Sequence, residues 1–303
     1  MSWVRFVLCI YFLAMNLSCS VNILETFANK TTNEALYNDA QTLMNDGDYS
    51  GALTKIAAMT GAYSSLEKVI YLKATAYGGI CGLNFLTFVQ NFAAIGATRL
   101  FPFFLSSFQS SSSAKIDACI TAQNLLTGIG AVGVRSNDEN TLLMMLAFAK
   151  IGNITAFYAD SAPVDGVADA AYDVCAVGGA RTAGAAITDN DARELGTGIT
   201  LAMEALAAIA STVNLGSGSL TALSGLCTLL GAGGANFCSK TDPTTFSAIE
   251  VKGIRTLFKE STVVGLGTCT GDITVCNCLG WFGGGLGGLP AIGLGLEHVD
   301  DVG

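Results

Sequence analysis

Histidine is almost missing from this sequence, and its one example, His298, stands close to the C-terminus. A Ser–His–Asp triad and a catalytic zinc site built on several histidines both need imidazoles in the body of a fold, so this scarcity argues against either. Cysteine nucleophiles meet the same objection, since no base stands ready to activate them. A Gly-x-Ser-x-Gly elbow in a strand-to-helix setting is missing, and so is a phosphate loop with its Lys-Ser/Thr ending. Charge is also scarce, at 13% of residues. The 15 basic residues against 24 acidic ones leave a net charge of −9 and no basic patch, so nucleic acid is a poor partner. No enzyme, cofactor or metal centre is expected. What the chain has instead is apolar mass: 51% of its 303 residues, enough to build a sizeable core and to exclude disorder over most of its length.

The N-terminus places Arg5 before an unbroken apolar run, Phe6 to Met15. A run of that length after a positive charge fits a secretory leader and is too short to span a bilayer. Two processing points fit. Ser18 and Ser20 put small residues at the −3 and −1 positions before Val21. Alternatively, Leu17-Ser18-Cys19 resembles a bacterial lipobox, with Asn16 where that pattern has an aliphatic residue. The resemblance implies that Cys19 becomes the lipidated first residue and that Ser20 directs the protein to the outer membrane. Residues 1–19 are therefore read as the leader and 20–32 as a tether, in a protein either lipid-anchored on the periplasmic side of the outer membrane or secreted.

Cysteine usage agrees with export. Beyond Cys9 and Cys19 an even set remains: Cys81, Cys119, Cys175, Cys227, Cys238, Cys269, Cys276 and Cys278. In an oxidising compartment these eight read as disulfides. Free thiols and a metal site are the alternatives, although Cys276-Asn277-Cys278 has the wrong spacing for a CxxC ligand pair. Spacing makes local links plausible for Cys227 with Cys238, and for Cys269 with Cys276 or Cys278. Three Asn-x-Ser/Thr triplets begin at Asn16, Asn29 and Asn153.

Period-two alternation is weak, and helical patterns alternate with Gly, Ser and Asn breaks. Helices are predicted over 33–46, 49–60, 64–79, 84–97, 115–128, 138–158, 166–177, 189–213, 218–230 and 243–262. Thr32, Ser136 and Asp242-Pro243 supply start signals. The expected fold is all-α: antiparallel helical hairpins forming a solenoid or bundle supported by disulfides. Its parts are a hairpin region over 33–105, a helical domain over 114–268 and a Cys/Gly-rich tail over 269–303. Ser106 to Ser113 reads as a linker between the first two, and Trp281 to Leu296 as either a disordered or a docked segment. No uncharged run is long and unbroken enough to be a firm membrane span.

Residues 35–59, ALYNDAQTLMNDGDYSGALTKIAAM, resemble one tetratricopeptide (TPR) repeat. Ala40, Leu43, Gly47-Asp48-Tyr49, Ala52 and Ile56 fall on that family's small, large and turn positions. Leu36, Asp39, Met59 and Ser64 depart from it. Tyr71, Ala74 and Tyr77 begin a second, degenerate copy. Leu142 to Phe157 is a third, with its turn at Gly152-Asn153-Ile154. The resemblance implies a concave face that grips a protein or peptide. The architecture also resembles the accessory component of some periplasmic tripartite transporters. Function is accordingly expected to be non-enzymatic: an envelope lipoprotein that binds or scaffolds another envelope protein or peptide. The alternative is a periplasmic small-molecule or transport-accessory binder, with Phe85, Phe88 and Phe92 lining an apolar cavity.

Three acidic groupings remain. Asp189, Asp191 and Glu194 read as helix-start carboxylates or as calcium ligands. Asp165, Asp169 and Asp173, spaced by four, would share one helix face, solvated or cation-binding. Glu204 interrupts an apolar helix.

Overall fold

The computed structural model describes residues 30–84, 99–209, 225, 227–228, 230–231, 234–262 and 264–278. The leader with Cys19, the tether up to residue 29, the Phe85/Phe88/Phe92 cluster and the tail beyond residue 278 lie outside them. So do nearly all of the helix predicted at 84–97 and most of that at 218–230. The described residues hold nine α-helices, one 3-10 turn and no strand. By Cα packing the chain divides into Met1–Val69 and Ile70–Gly303. Ser106 to Ser113 falls inside the second unit.

The first unit is built from α1 (Asn33–Asn45), α2 (Tyr49–Ala57) and the single turn α3 (Gly61–Ser64). Thr32 caps α1 by accepting from the Ala35 amide at 3.2 Å. Gly47 then turns the chain with φ +78°, a conformation that favours glycine. Asp48 caps α2 through the Gly51 amide at 2.8 Å. The chain returns alongside itself: Asn33, opening α1, exchanges two 3.0 Å hydrogen bonds with Thr60, just past α2. Ala40 and Ala52 are fully buried, and Leu36 and Ile56 fill the space beside them. Lys68 stands over the rings of Tyr37 and Tyr63, 5.1 and 4.9 Å from their centroids.

The second unit is organised around one helix. After α4 (Glu67–Cys81) come α5 (Leu100–Ser107), α6 (Ser113–Thr127) and α7 (Asn137–Ala159). These are followed by α8 (Asp189–Ile209), a 3-10 turn (Pro243–Thr245) and α9 (Ala248–Lys259). Ser136 and Glu139 close a reciprocal capping box at the start of α7. Beyond it, 19 of the 23 residues of α7 are buried, because α5, α6 and α8 all pack on it. A helix apolar on every side needs such surroundings. It is the one described helix long and apolar enough to cross a membrane, and 94% of its apolar window is buried inside the protein. Glycine sets the distances. A Cβ on Gly198 of α8 would lie 2.9 Å from Ile151, and one on Gly152 would lie 2.1 Å from the ring of Phe108. We expect Gly152→Ala to lower stability by about 1–3 kcal/mol in a thermal melt, the usual cost of overpacking a sealed core. An unchanged melting temperature would mean that Phe108 moves aside freely.

Four expectations need correction. Gly152-Asn153-Ile154 is no turn: it lies within the unbroken α7, so Leu142 to Phe157 is not a repeat. Residues 166–177 form no helix, because aspartates in and just before this stretch bind nearby backbone amides in place of the helical ladder. Asp160 accepts from the amides of Asp165 and Gly166 (3.0 and 2.9 Å), Asp165 from Val167 (2.9 Å), and Asp173 from Cys175 (3.0 Å). Asp165, Asp169 and Asp173 therefore share no helix face. Asp242-Pro243 opens only the 3-10 turn, and a Ser247–Glu250 capping box starts α9 instead. Finally, α5 lies outside the predicted helices and holds Pro102. Proline is tolerated there because a first-turn N–H has no helical acceptor.

The eight described cysteines form four disulfides, all in the second unit: Cys81–Cys119, Cys175–Cys278, Cys227–Cys238 and Cys269–Cys276. Cys175–Cys278 spans 103 residues. Closing a loop on the order of 100 residues removes about 4.7 kcal/mol of chain entropy from the unfolded state.

Candidate functional site

Polar chemistry in the second unit gathers in two places. The first is the start of α8. Thr188 caps it, accepting from the Asp191 amide at 3.1 Å while its hydroxyl donates to the Asp191 carboxylate. The three acids of this turn each face a different cation. Asp189 meets Arg255 at 2.9 Å. Asp191 takes Nε of Arg181 at 2.9 Å, a second Arg181 nitrogen, and the hydroxyl of Tyr158. Glu194 meets Lys150 of α7 at 2.8 Å. Burial alone would raise the Asp191 pKa, but the bonds from Arg181 and Tyr158 outweigh it and hold the carboxyl below its ordinary range. Burial, reinforced by the Asp191 charge, pushes Tyr158 up to about 12. Arg181 also reaches Asp117 of α6, so it ties the 160–188 segment to two helices.

Lys150 has no exposed side-chain surface and donates a further bond to Thr197 at 2.7 Å. Burial lowers its pKa, and Glu194 opposes part of that shift. These carboxylates are consumed by internal ion pairs, which favours the structural reading of the TDNDARELG cluster over a calcium site. Glu204 is partly exposed near the C-terminal end of α8. Glu260, fully buried, wraps the amides of Thr262, Val264 and Gly265 behind α9.

The second place is a cavity of about 280 Å³ bounded by the end of α4, the C-terminal end of α5, the Ser-rich segment, α6 and α7. Asn153 lies at its floor, 1% exposed. Its Nδ2 donates to the carbonyls of Cys81 (2.9 Å) and Ala149 (3.0 Å), which fixes the amide orientation. The buried position takes the Asn153 triplet out of reach as a glycosylation acceptor in the folded protein. Ser111 donates to the Asn153 carbonyl at 2.6 Å and Ser112 caps α6, so these serines are fastened to the core. Lys115 donates to the carbonyl and hydroxyl of Ser110 at 2.7 and 3.2 Å.

The site residues read from sequence divide plainly. The eight cysteines pair among themselves, with Cys227–Cys238 as spacing suggested and Cys276 taking Cys269. Cys19 lies outside the described residues. The cavity residues Ser106, Ser107, Lys115 and Asn153 were missed as a group. The available signal was Lys150 and Asn153, two strongly polar residues three apart inside an apolar helix. No protein-family model, no curated protein and no solved structure matches this chain.

Proposed function

We propose that this is an exported, lipid-anchored helical protein of the bacterial envelope that holds another protein or a peptide and performs no chemistry. One observation carries the export half of the reading: every described cysteine is paired, a state that thiols keep in oxidising compartments and lose in the cytosol. The lipobox-like Cys19 supplies the anchor, since acyl chains add about 0.8 kcal/mol per buried methylene. The binding half draws support from the first unit. There the TPR-like small positions, Ala40 and Ala52, are fully buried between α1 and α2, and Gly47-Asp48 makes the turn between them. In this reading α1 and α2 are the gripping hairpin.

The test is made in a Gram-negative host. Labelled palmitate is expected to enter the wild-type protein and not Cys19→Ala, which should move to the soluble periplasm. Thiol alkylation without reductant should leave the mature chain unmodified. A photo-crosslinking residue at Gln41 on α1 should give a discrete adduct in intact cells, whereas one at Asp117 on α6 should not. Palmitate entering Cys19→Ala, several alkylated thiols, or adducts of equal yield at both positions would count against the respective parts.

A further inference from the structure

We propose that the cavity floored by Asn153 binds a small polyhydroxy carboxylate of the aldonate or uronate kind, a role independent of whether Cys19 is lipidated. The inference comes from accounting for the hydrogens at its wall. Asn153 spends both Nδ2 hydrogens on backbone carbonyls, so its Oδ1 is left as an acceptor at the cavity, and no described residue donates to it. Ser106 and Ser107 both donate to the Phe103 carbonyl, at 2.9 and 2.8 Å. A carbonyl can only accept, so each serine presents its oxygen to the cavity as an acceptor. The wall therefore offers three oxygens able to accept from a ligand.

A ligand bearing several O–H groups satisfies that arrangement. An ammonium group fits it poorly, because no Asp or Glu stands among the described lining residues while Lys115 does. Lys115 uses two of its three hydrogens on Ser110, and the third remains for a carboxylate. Hydroxyls toward Asn153, Ser106 and Ser107, with a carboxylate toward Lys115, define the class. Size agrees: about 280 Å³ lies just below the usual range of ligand pockets and suits one sugar-sized molecule rather than a lipid or a peptide.

Calorimetric titration of the exported full chain decides it, with three probes. Gluconate has the hydroxyls and the carboxylate, sorbitol the hydroxyls alone, and acetate the carboxylate alone. Gluconate is expected to bind at least about tenfold more tightly than either control, a difference of about 1.4 kcal/mol. Lys115→Met should erase the preference for gluconate over sorbitol. Ser106→Ala, at an exposed position where folding is not at stake, should weaken gluconate about two- to tenfold, the range for one hydrogen bond. Amide signals in NMR spectra should shift around Asn153 and Lys115 on titration. No binding of gluconate at millimolar concentration, acetate equal to gluconate, or Lys115→Met retaining the preference would overturn the assignment.

Discussion

Replacing Arg255 with methionine is expected to destabilise the protein by on the order of 3–5 kcal/mol, chiefly through buried carbonyls that lose their donor. Arg255 leaves α9 and runs beneath the 160–188 segment, only 2% exposed. Its guanidinium donates to the carbonyls of Val174 (3.0 Å), Ala176 (2.7 Å) and Ile187 (2.9 Å), and to Asp189 (2.9 Å). That segment has no helix to satisfy its own backbone, so one side chain supplies what a helical ladder supplies elsewhere. Methionine matches the volume and offers no donor, leaving the Val174 and Ala176 carbonyls short at about 1–3 kcal/mol for each that stays buried and unpaired, while Ile187 keeps the Gly178 amide. Arg255→Lys should recover little, because an ammonium lacks the planar fork that spans several acceptors. Urea midpoints measure the loss. Limited proteolysis locates it, with first cleavage expected inside 160–188. An unchanged midpoint and cleavage starting elsewhere would show that Cys175–Cys278 and Arg181 hold the segment without Arg255.

Arg255 also shows why sequence reading succeeded where it did. Helix starts at Thr32 and Ser136 were legible because a cap bonds to an amide two or three residues ahead, inside any reading window. Cys227–Cys238 was legible for the same reason, its partners standing 11 positions apart. The 160–188 segment was not legible. Its apolar spacing resembles a helix, but its aspartates turn to local amides and its carbonyls find a donor 68 to 81 residues away. The choice between Cys276 and Cys278 for Cys269 was likewise undecidable locally, since Cys278 is claimed by Cys175, 103 residues distant. The cavity was hidden by the same long reach. Ser106 to Ser113 has linker composition, yet Ser111 bonds to residue 153 and binds the segment to the core. All-α character came through because α7 is apolar around its whole circumference, a property of composition more than of register. Lys150 and Asn153, polar residues in the middle of that helix, were present in the sequence as anomalies without partners, and only packing assigns them any.

Lys150 and Glu194 should behave as a unit whose halves cannot be removed with equal cost. Glu194→Leu leaves the Lys150 ammonium sealed in the core with Thr197 as its remaining partner, and is expected to cost about 3–5 kcal/mol. Lys150→Met should cost less, because Glu194 retains 15% side-chain exposure and can turn toward water. The double variant Lys150→Met/Glu194→Leu removes both charges and both desolvation penalties. Thr197 still donates to the Glu194 backbone carbonyl, so the pair of changes is expected to be near neutral or stabilising. The pH dependence follows from the lowered Lys150 pKa. Between that lowered folded value and the unfolded value of about 10.4, the unfolded chain binds more protons than the folded one, so stability rises with pH. Glu194 opposes the shift, so its removal lowers the folded value further and widens the window toward neutral pH. Urea midpoints from neutral to alkaline pH should therefore climb more steeply for Glu194→Leu than for wild type, and the double variant should lose this contribution. A double variant as unstable as Glu194→Leu at every pH would show that the cost lies in packing around α8 and not in the stranded charge.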